Sequence, residues 1–303
     1  MALVLGLLAV FFGLRTEGFL TRGAITTMAN QSAEAIVLAV GMTFVLIIAG
    51  IDLSVGSVLG LSGAVLGACL VDLGWSLPVS IGACLCVCLL CGAINGLVII
   101  RWRIPSFIVT LGMMEIARGG AYLVTQSRTK YIGKPIEAIR GATYGGLTPL
   151  LFVALVIVLI GQTVLSRTAY GRHMLAVGAN EETARLSGLP TRRITLSVFM
   201  LSGFLAAVAA VIYTARLAAA YPDAGKGYEL QAIAAVVIGG TSLMGGRGSV
   251  YSSFLGVLII AVLGYGLVQI GAREPTKWVV TGCVIVLAVI IDHYRAKLRK
   301  ATH

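Results

Sequence analysis

Apolar residues in this chain come in long runs broken by short polar stretches, not in the alternation of half-buried strands. Cleaner runs fall near residues 28–49, 54–72, 78–100, 106–126, 147–165, 194–215, 229–242, 250–270 and 276–291. Most approach the ~20 residues a helix needs to cross a ~30 Å hydrocarbon core. An earlier run, Ala2 to Leu14, would span only about 20 Å as a helix. It lacks the basic residue before it and the cleavage site after it that mark a signal peptide. It is read as a helix that tilts, thins the bilayer or has lost its first turns to a late start. Together the runs predict an all-α polytopic membrane bundle of about ten segments. Pro78, Pro105, Pro149 and Pro275 stand at or just before predicted helix starts, where a missing N–H costs nothing. The 229–242 run is short enough to be a half-helix or a re-entrant piece. Residues 1–303 are read as one transmembrane domain.

Composition agrees. Hydrophobic residues make up 58% and charged residues 12% of 303, about half the charge of an ordinary soluble domain. A soluble globule with that mixture would expose apolar surface it has no polar groups to cover. The net charge of +11 would suggest nucleic-acid binding in a soluble protein. Here the basic residues sit in short loops, where anionic headgroups and the positive-inside bias account for them. They divide almost evenly between the two faces. The dense tail (Arg295, Lys297, Arg299, Lys300) and the 166–195 loop place both termini on the cytoplasmic side. Cys84, Cys86, Cys88 and Cys91 share one apolar run with no His, Asp or Glu nearby, so they read as small apolar residues and not as a zinc site.

Two interruptions resemble one another. Ala49-Gly-Ile-Asp-Leu-Ser-Val-Gly-Ser-Val58 and Gly239-Gly-Thr-Ser-Leu-Met-Gly-Gly-Arg-Gly-Ser-Val250 each break an apolar run with glycines, hydroxyls and one charged residue. Corresponding breaks in two halves of a membrane protein often mark a transporter repeat. Asp52 is read either as a cap on the helix after it or as part of a cavity lining, with Ser54 beside it. Thr241 and Ser242 are the matching candidates in the second break. Glu115 and Arg118, three apart in one apolar run, form an internal ion pair or line a solute path. Gly56 and Gly60, and Gly63 and Gly67, are each four apart, a spacing that lets backbones approach closely, either in static packing or at a sliding surface. Catalytic constellations are missing: there is no H-E-x-x-H and no G-x-S-x-G, and the 239–248 glycines lack the G-K-[ST] ending of a phosphate loop. No catalytic residue, metal or nucleotide is assigned to this chain. ATP, if used, belongs to another subunit.

The 166–193 loop carries the sharpest local signal. Asn180 is an N-cap residue, Glu181 and Glu182 occupy a first turn, Arg185 lies toward the end, Gly188 suits a left-handed terminus and Pro190 stops continuation. A helix of about two turns is marginal alone in water. Something must hold it: this chain's own helix ends, or a groove on a partner.

At this point the residues resemble the membrane permease subunits of ribose-type ABC sugar importers, within the branched-chain amino-acid and sugar permease group. The resemblance rests on four stretches: Gly50-Ile-Asp-Leu-Ser-Val-Gly-Ser57, Ile104-Pro-Ser-Phe-Ile-Val-Thr-Leu-Gly112, Gly171-Arg172 through Ala184-Arg-Leu-Ser-Gly-Leu189, and Glu229 through Gly248. It implies ten segments with cytoplasmic termini in the bacterial inner membrane, and a pathway built by two permease subunits, identical or different. A cytoplasmic ABC ATPase would bind ATP and Mg. A periplasmic or lipid-anchored binding protein would deliver sugar. The helix Asn180, Glu181, Glu182, Ala184, Arg185, Ser187, Gly188, Leu189 would be the coupling helix, with Ala184 on the face packed against the ATPase. Residues 166–193 and the 292–303 tail would be cytoplasmic. Ala49 departs from the family, which usually has glycine before Gly50. Tyr251 and the Gly264-Tyr265-Gly266 stretch also look unusual.

The resulting reading is a non-enzymatic permease for a ribose-like pentose or a hexose. A sugar brings hydroxyls and no charge, so polar and aromatic contacts suit its path. Tyr265, Gln269, Asn95 and Gln231 are candidates, each equally able to be an interhelical hydrogen-bond partner. Rival readings are a branched-chain amino-acid permease of the same type, an ion-coupled transporter titrating Asp52, Glu115 or Asp223, and an intramembrane enzyme.

Overall fold

The computed structural model describes residues 1–273, 275–277, 279–284, 286–287 and 290. Helices dominate. In chain order they are α1 (Ala2–Arg15), α2 (Arg22–Gln31), α3 (Ala33–Ile47), α4 (Val55–Val71), α5 (Leu77–Trp102), α6 (Ser106–Thr125), α7 (Lys134–Arg140), α8 (Pro149–Arg167), α9 (Ala169–Ala179), α10 (Glu181–Leu186), α11 (Thr191–Leu217), α12 (Tyr228–Ile238) and α13 (Val250–Gln269). Among the described residues there is also a two-residue antiparallel pair, β1 (Lys130–Tyr131) with β2 (Ala219–Ala220), and an isolated bridge between Tyr144 and Leu147.

Among the described residues, five helices are long and apolar enough to cross a membrane: α5, α6, α8, α11 and α13. The 28–49 run makes a sixth crossing only as a broken one, with α2 and α3 meeting at 44°. Ser32 sits at that break, and its hydroxyl donates to Ala29 O instead of capping α3. The 54–72 run is α4, 17 residues long. The 229–242 run shortens to the 11-residue α12, because Gly239 and Gly240 end it. The predicted span 276–291 lies partly, and the tail 292–303 wholly, outside the described residues.

The main core gathers buried side chains from α3, α4, α5 and α11, with α3 buried along nearly its whole length. A smaller cluster, Phe12, Phe19, Leu263 and Leu267, fastens α1 to α13. Three of the four clustered cysteines, Cys84, Cys88 and Cys91, are buried free thiols. Cys86 differs: it lies on the exposed side of α5.

One packing feature is not helix on helix. Past α11 the chain passes through β2 and then runs irregularly to Gly227 along the glycines of α4. A Cβ added at Gly60 would sit 2.7 Å from Ala224 O, and one at Gly67 would sit 2.7 Å from Ala220 Cβ. At Gly56 it would strike Gly225 O and Glu229 Oε2. Gly56, Gly60 and Gly67 therefore seat β2 and the chain after it, while Gly63 faces Thr214 of α11. Side chains there would lift the backbone off its support.

Candidate functional site

The first break begins where α3 ends. Ala49 adopts positive φ (59°), and Gly50 N donates back to Val45 O (2.9 Å). The foot of α6 satisfies the next backbone groups. Ile51 N donates to Ser106 Oγ (2.8 Å) and Leu53 N to Thr110 Oγ1 (3.1 Å), while Thr110 Oγ1 donates to Ile51 O (3.1 Å). Asp52 is buried, 2% exposed. Its Oδ1 accepts from Ser54 N (2.9 Å) and Ser54 Oγ (2.6 Å), and its Oδ2 from Ser202 Oγ (2.8 Å). Asn95 Nδ2 donates to Ser54 Oγ (3.1 Å). Asp52, Ser54 and Asn95, named separately from sequence, thus meet in one buried cluster. Ser202 completes it from α11, 150 residues away, without any local signal. Asp52 is not the helix cap: Ser54 holds that position, and Asp52 folds the turn just before it by taking the N–H two residues on.

The second break lies against the first. Gly246 N donates to Ile47 O (2.8 Å), and a Cβ on Gly245 would stand 2.8 Å from Ala49 Cβ. Thr241 is buried, with its hydroxyl 3.4 Å from Ser253 Oγ; Ser253 also accepts from Thr43 Oγ1 (2.8 Å). Ser242 shapes the loop, its N donating to Arg247 O (3.0 Å) and its Oγ accepting from Met244 N (3.2 Å). The two stretches that resemble each other in sequence therefore touch in space.

Glu115 and Arg118 do not pair. Arg118 Nη1 donates to Pro222 O (3.0 Å) and Ala224 O (2.8 Å), and Glu115 is exposed on α6. Two carbonyls of the irregular 218–227 segment compete successfully for the guanidinium, because that segment cannot satisfy them itself. Asp223, between those carbonyls, accepts from Tyr122 OH (2.7 Å). Among the described residues the buried ion pair is a different one. Glu34, wholly buried at the start of α3, accepts from Arg216 Nη2 (2.5 Å) near the end of α11. Arg216 also stacks over Tyr213, 5.3 Å from the ring centroid. Sequence reasoning passed over this pair, since the partners stand 182 residues apart at the ends of runs, where charges are ordinary.

A cavity of about 520 Å³ opens between α2–α3, α12 and α13. Gln231 and Tyr265 both line it, together with Gln31, Ser32 and Tyr228. Gln269 Nε2 donates to Tyr265 OH (3.0 Å), so it orients that ring. The volume falls within the range of small-molecule sites, and its polar groups are hydroxyls, amides and one ammonium, that of Lys277.

The 166–193 segment holds two helices where one was expected. α9 precedes the marked one, N-capped by Thr168, which accepts from Gly171 N (3.2 Å). α10 has both predicted ends. Asn180 Oδ1 accepts from Thr183 N (2.9 Å), and Gly188 stands at φ +83°. Leu189 N donates to Ala184 O (3.1 Å) and Gly188 N to Arg185 O (3.0 Å), the paired closure of a left-handed helix end. Ser187 Oγ donates to Thr183 O (2.9 Å). Exposed Arg185 Nη2 donates to Glu182 Oε1 (2.6 Å), which holds the Glu182 carboxyl below its ordinary range and raises Arg185. Ala184, expected on a partner's face, is 5% exposed and packs into this chain's own core. The apolar side chain that α10 presents outward is Leu186, 78% exposed. Between α10 and the first break lies a groove of about 480 Å³ lined by Glu181, Glu182, Arg185, Ala49, Gly50 and Ser106 among others.

Comparison with known proteins gives this architecture its relatives. Over 275 residues the chain is 38% identical to the ribose import permease protein RbsC of Haemophilus influenzae, covering 89% of this chain and 85% of that protein. It is 37% identical to RbsC of Bacillus subtilis, covering 96% and 91%. The xylose transport system permease protein XylH of Escherichia coli is 36% identical, covering 93% and 88%. Residues 24–289 match the family described as branched-chain amino acid transport system / permease component, and the chain belongs to that family.

Proposed function

We propose that this protein is the membrane permease subunit of an ABC importer for a monosaccharide, a ribose-like pentose above all. The observation that carries this reading is the likeness, over about nine-tenths of the chain, to permeases of ribose and xylose importers. Although the family description names branched-chain amino acids, these relatives favour the sugar branch. The chain is a transport component and does no chemistry of its own.

The finer reading follows from the same premise. Residues 1–303 form one permease domain of ten segments in the bacterial inner membrane, with both termini, 166–193 and 292–303, in the cytoplasm. Two permease subunits enclose the path. An extracytoplasmic binding protein delivers sugar, and a cytoplasmic ATPase, holding ATP and Mg, receives α10 in a groove. Its closure would move α10, and through the adjoining groove the first break, alternating access to the path. The hydroxyl and amide side chains lining the cavity suit a polyol, and two touching breaks give the two repeats a common hinge.

The test is reconstitution. The chain is co-expressed with its ATPase, purified and placed in liposomes carrying ATP inside and the binding protein outside. Radiolabelled ribose or xylose should accumulate in an ATP-dependent, vanadate-sensitive way. Uptake that persists with vanadate but collapses with an uncoupler would refute the ABC assignment. Accumulation of leucine and not of pentose would move the protein to the amino-acid branch.

A further inference from the structure

Of the five long apolar helices, α6 is the least enclosed by the rest of the chain. Its outer surface divides in two. Ile116 and Leu123 are exposed and apolar, as a lipid-facing side requires. Glu115, Arg118 and Tyr122, spaced i, i+3 and i+7, form a polar stripe on another side. The irregular 218–227 segment lies against that stripe through the bonds from Arg118 and Tyr122, and its Asp223 and Lys226 are also exposed.

Depth makes this arrangement informative. Arg118 lies 12 residues beyond Ser106, roughly 18 Å up the helix, well inside a ~30 Å hydrocarbon core. Irregular backbone and charged side chains survive at such depth only against protein or water. Among the described residues nothing covers Glu115 or Asp223, both of which are exposed.

We infer that the α6 stripe and the 222–226 segment form a wall of the water-filled path, and that Glu115, Tyr122 and Asp223 hydrogen-bond the sugar as it passes. This rests on the permease reading above. The chemistry fits a polyol. A carboxylate accepts from two neighbouring hydroxyls at once, and Tyr122, already donating to Asp223, keeps its oxygen lone pairs for a third. Arg118 is a positioning residue. It grips the carbonyls of Pro222 and Ala224, the residues on either side of Asp223, and so fixes where that carboxylate stands.

Water access tests the wall without reference to substrate. With exposed Cys86 and Cys283 replaced by Ser, single cysteines are placed at Glu115, Asp223 and Ile116 in the full importer. A charged, impermeant methanethiosulfonate should modify Glu115→Cys and Asp223→Cys on the order of tenfold faster than Ile116→Cys, since a thiolate forms only where water reaches it. Arg118→Met should change the rate at Asp223→Cys, and Arg118→Lys should preserve it. Asp223→Asn and Tyr122→Phe should raise KM for ribose uptake about tenfold or more while the ATPase still co-purifies. Equal labelling at all three positions would overturn the inference. So would an unchanged KM, or ready disulfide formation between copies at Glu115→Cys, which would make the stripe a subunit interface. Failure of the parent importer to take up any pentose would instead count against the permease reading, because the labelling pattern does not depend on the sugar.

Discussion

Removing Arg216 should damage this protein more than removing Arg216 and Glu34 together. Glu34 is wholly buried, and its Oε1 receives Arg216 Nη2 at 2.5 Å and Tyr228 OH at a longer 3.4 Å. Its Oε2 and the Arg216 Nε are buried without hydrogen-bond partners, so the pair is held by a single contact and not a two-point fork. Arg216→Met keeps the length and the packing over Tyr213 but leaves a buried carboxylate with only the weak Tyr228 contact. Breaking a buried pair from one side costs about 3–5 kcal/mol, whereas replacing both partners by apolar groups of similar volume is often neutral or better. Arg216→Met alone should therefore lose most of the monodisperse protein in detergent. Glu34→Leu combined with Arg216→Met should recover it, with a thermal midpoint near the parent's. The assay is thermal unfolding followed by fluorescence-detected size exclusion on all four members of the cycle. A double variant as unstable as the worse single variant would show that the pair adds net stability, and the desolvation argument would be wrong.

Other outcomes follow from close contacts. Ala49→Gly should raise stability by about 1 kcal/mol, because Ala49 pays for positive φ that glycine adopts freely, measured as an upward thermal shift. Gly60→Val should abolish well-folded protein, since its Cβ would meet Ala224 O at 2.7 Å and Arg118 Nη1 at 3.0 Å; detergent extraction followed by size exclusion reads this. Leu186→Glu should leave the fold intact but weaken co-purification of the ATPase, while Ala184→Trp should cost folding first, because Ala184 is buried in its own chain.

The apolar runs make the helices legible because a bilayer demands long uninterrupted hydrophobic stretches, and the glycine–hydroxyl interruptions make both breaks legible because nothing else explains polar groups there. The ends of α10 are legible for a local reason: Asn180 and Gly188 act within a few residues of themselves. Three features are not local. Glu34 and Arg216 acquire meaning only when α3 meets α11. Arg118 binds carbonyls more than 100 residues away, which turns an apparent i, i+3 pair into a clamp. Ala184 and Leu186 are both apolar residues of one short helix, and only the packing of α10 decides which of them turns outward.

The Arg118 clamp is one of two places where α6 holds irregular backbone. At its foot, Ser106 and Thr110 hold the backbone of Ile51 and Leu53 at the first break. Three turns further on, Arg118 holds the 222–224 backbone where it lies on the α4 glycines. The same foot lines the groove shared with Glu181, Glu182 and Arg185 of α10. α10 itself packs on α9 and α11 and faces the break around Asp52 and the foot of α6 across that groove, while α6 joins that break by hydrogen bonds to the segment that carries Asp223. α6 is the least buried of the long apolar helices and packs chiefly on α4, so the two irregular segments it holds are tied to one helix at the edge of the core formed by α3, α5 and α11.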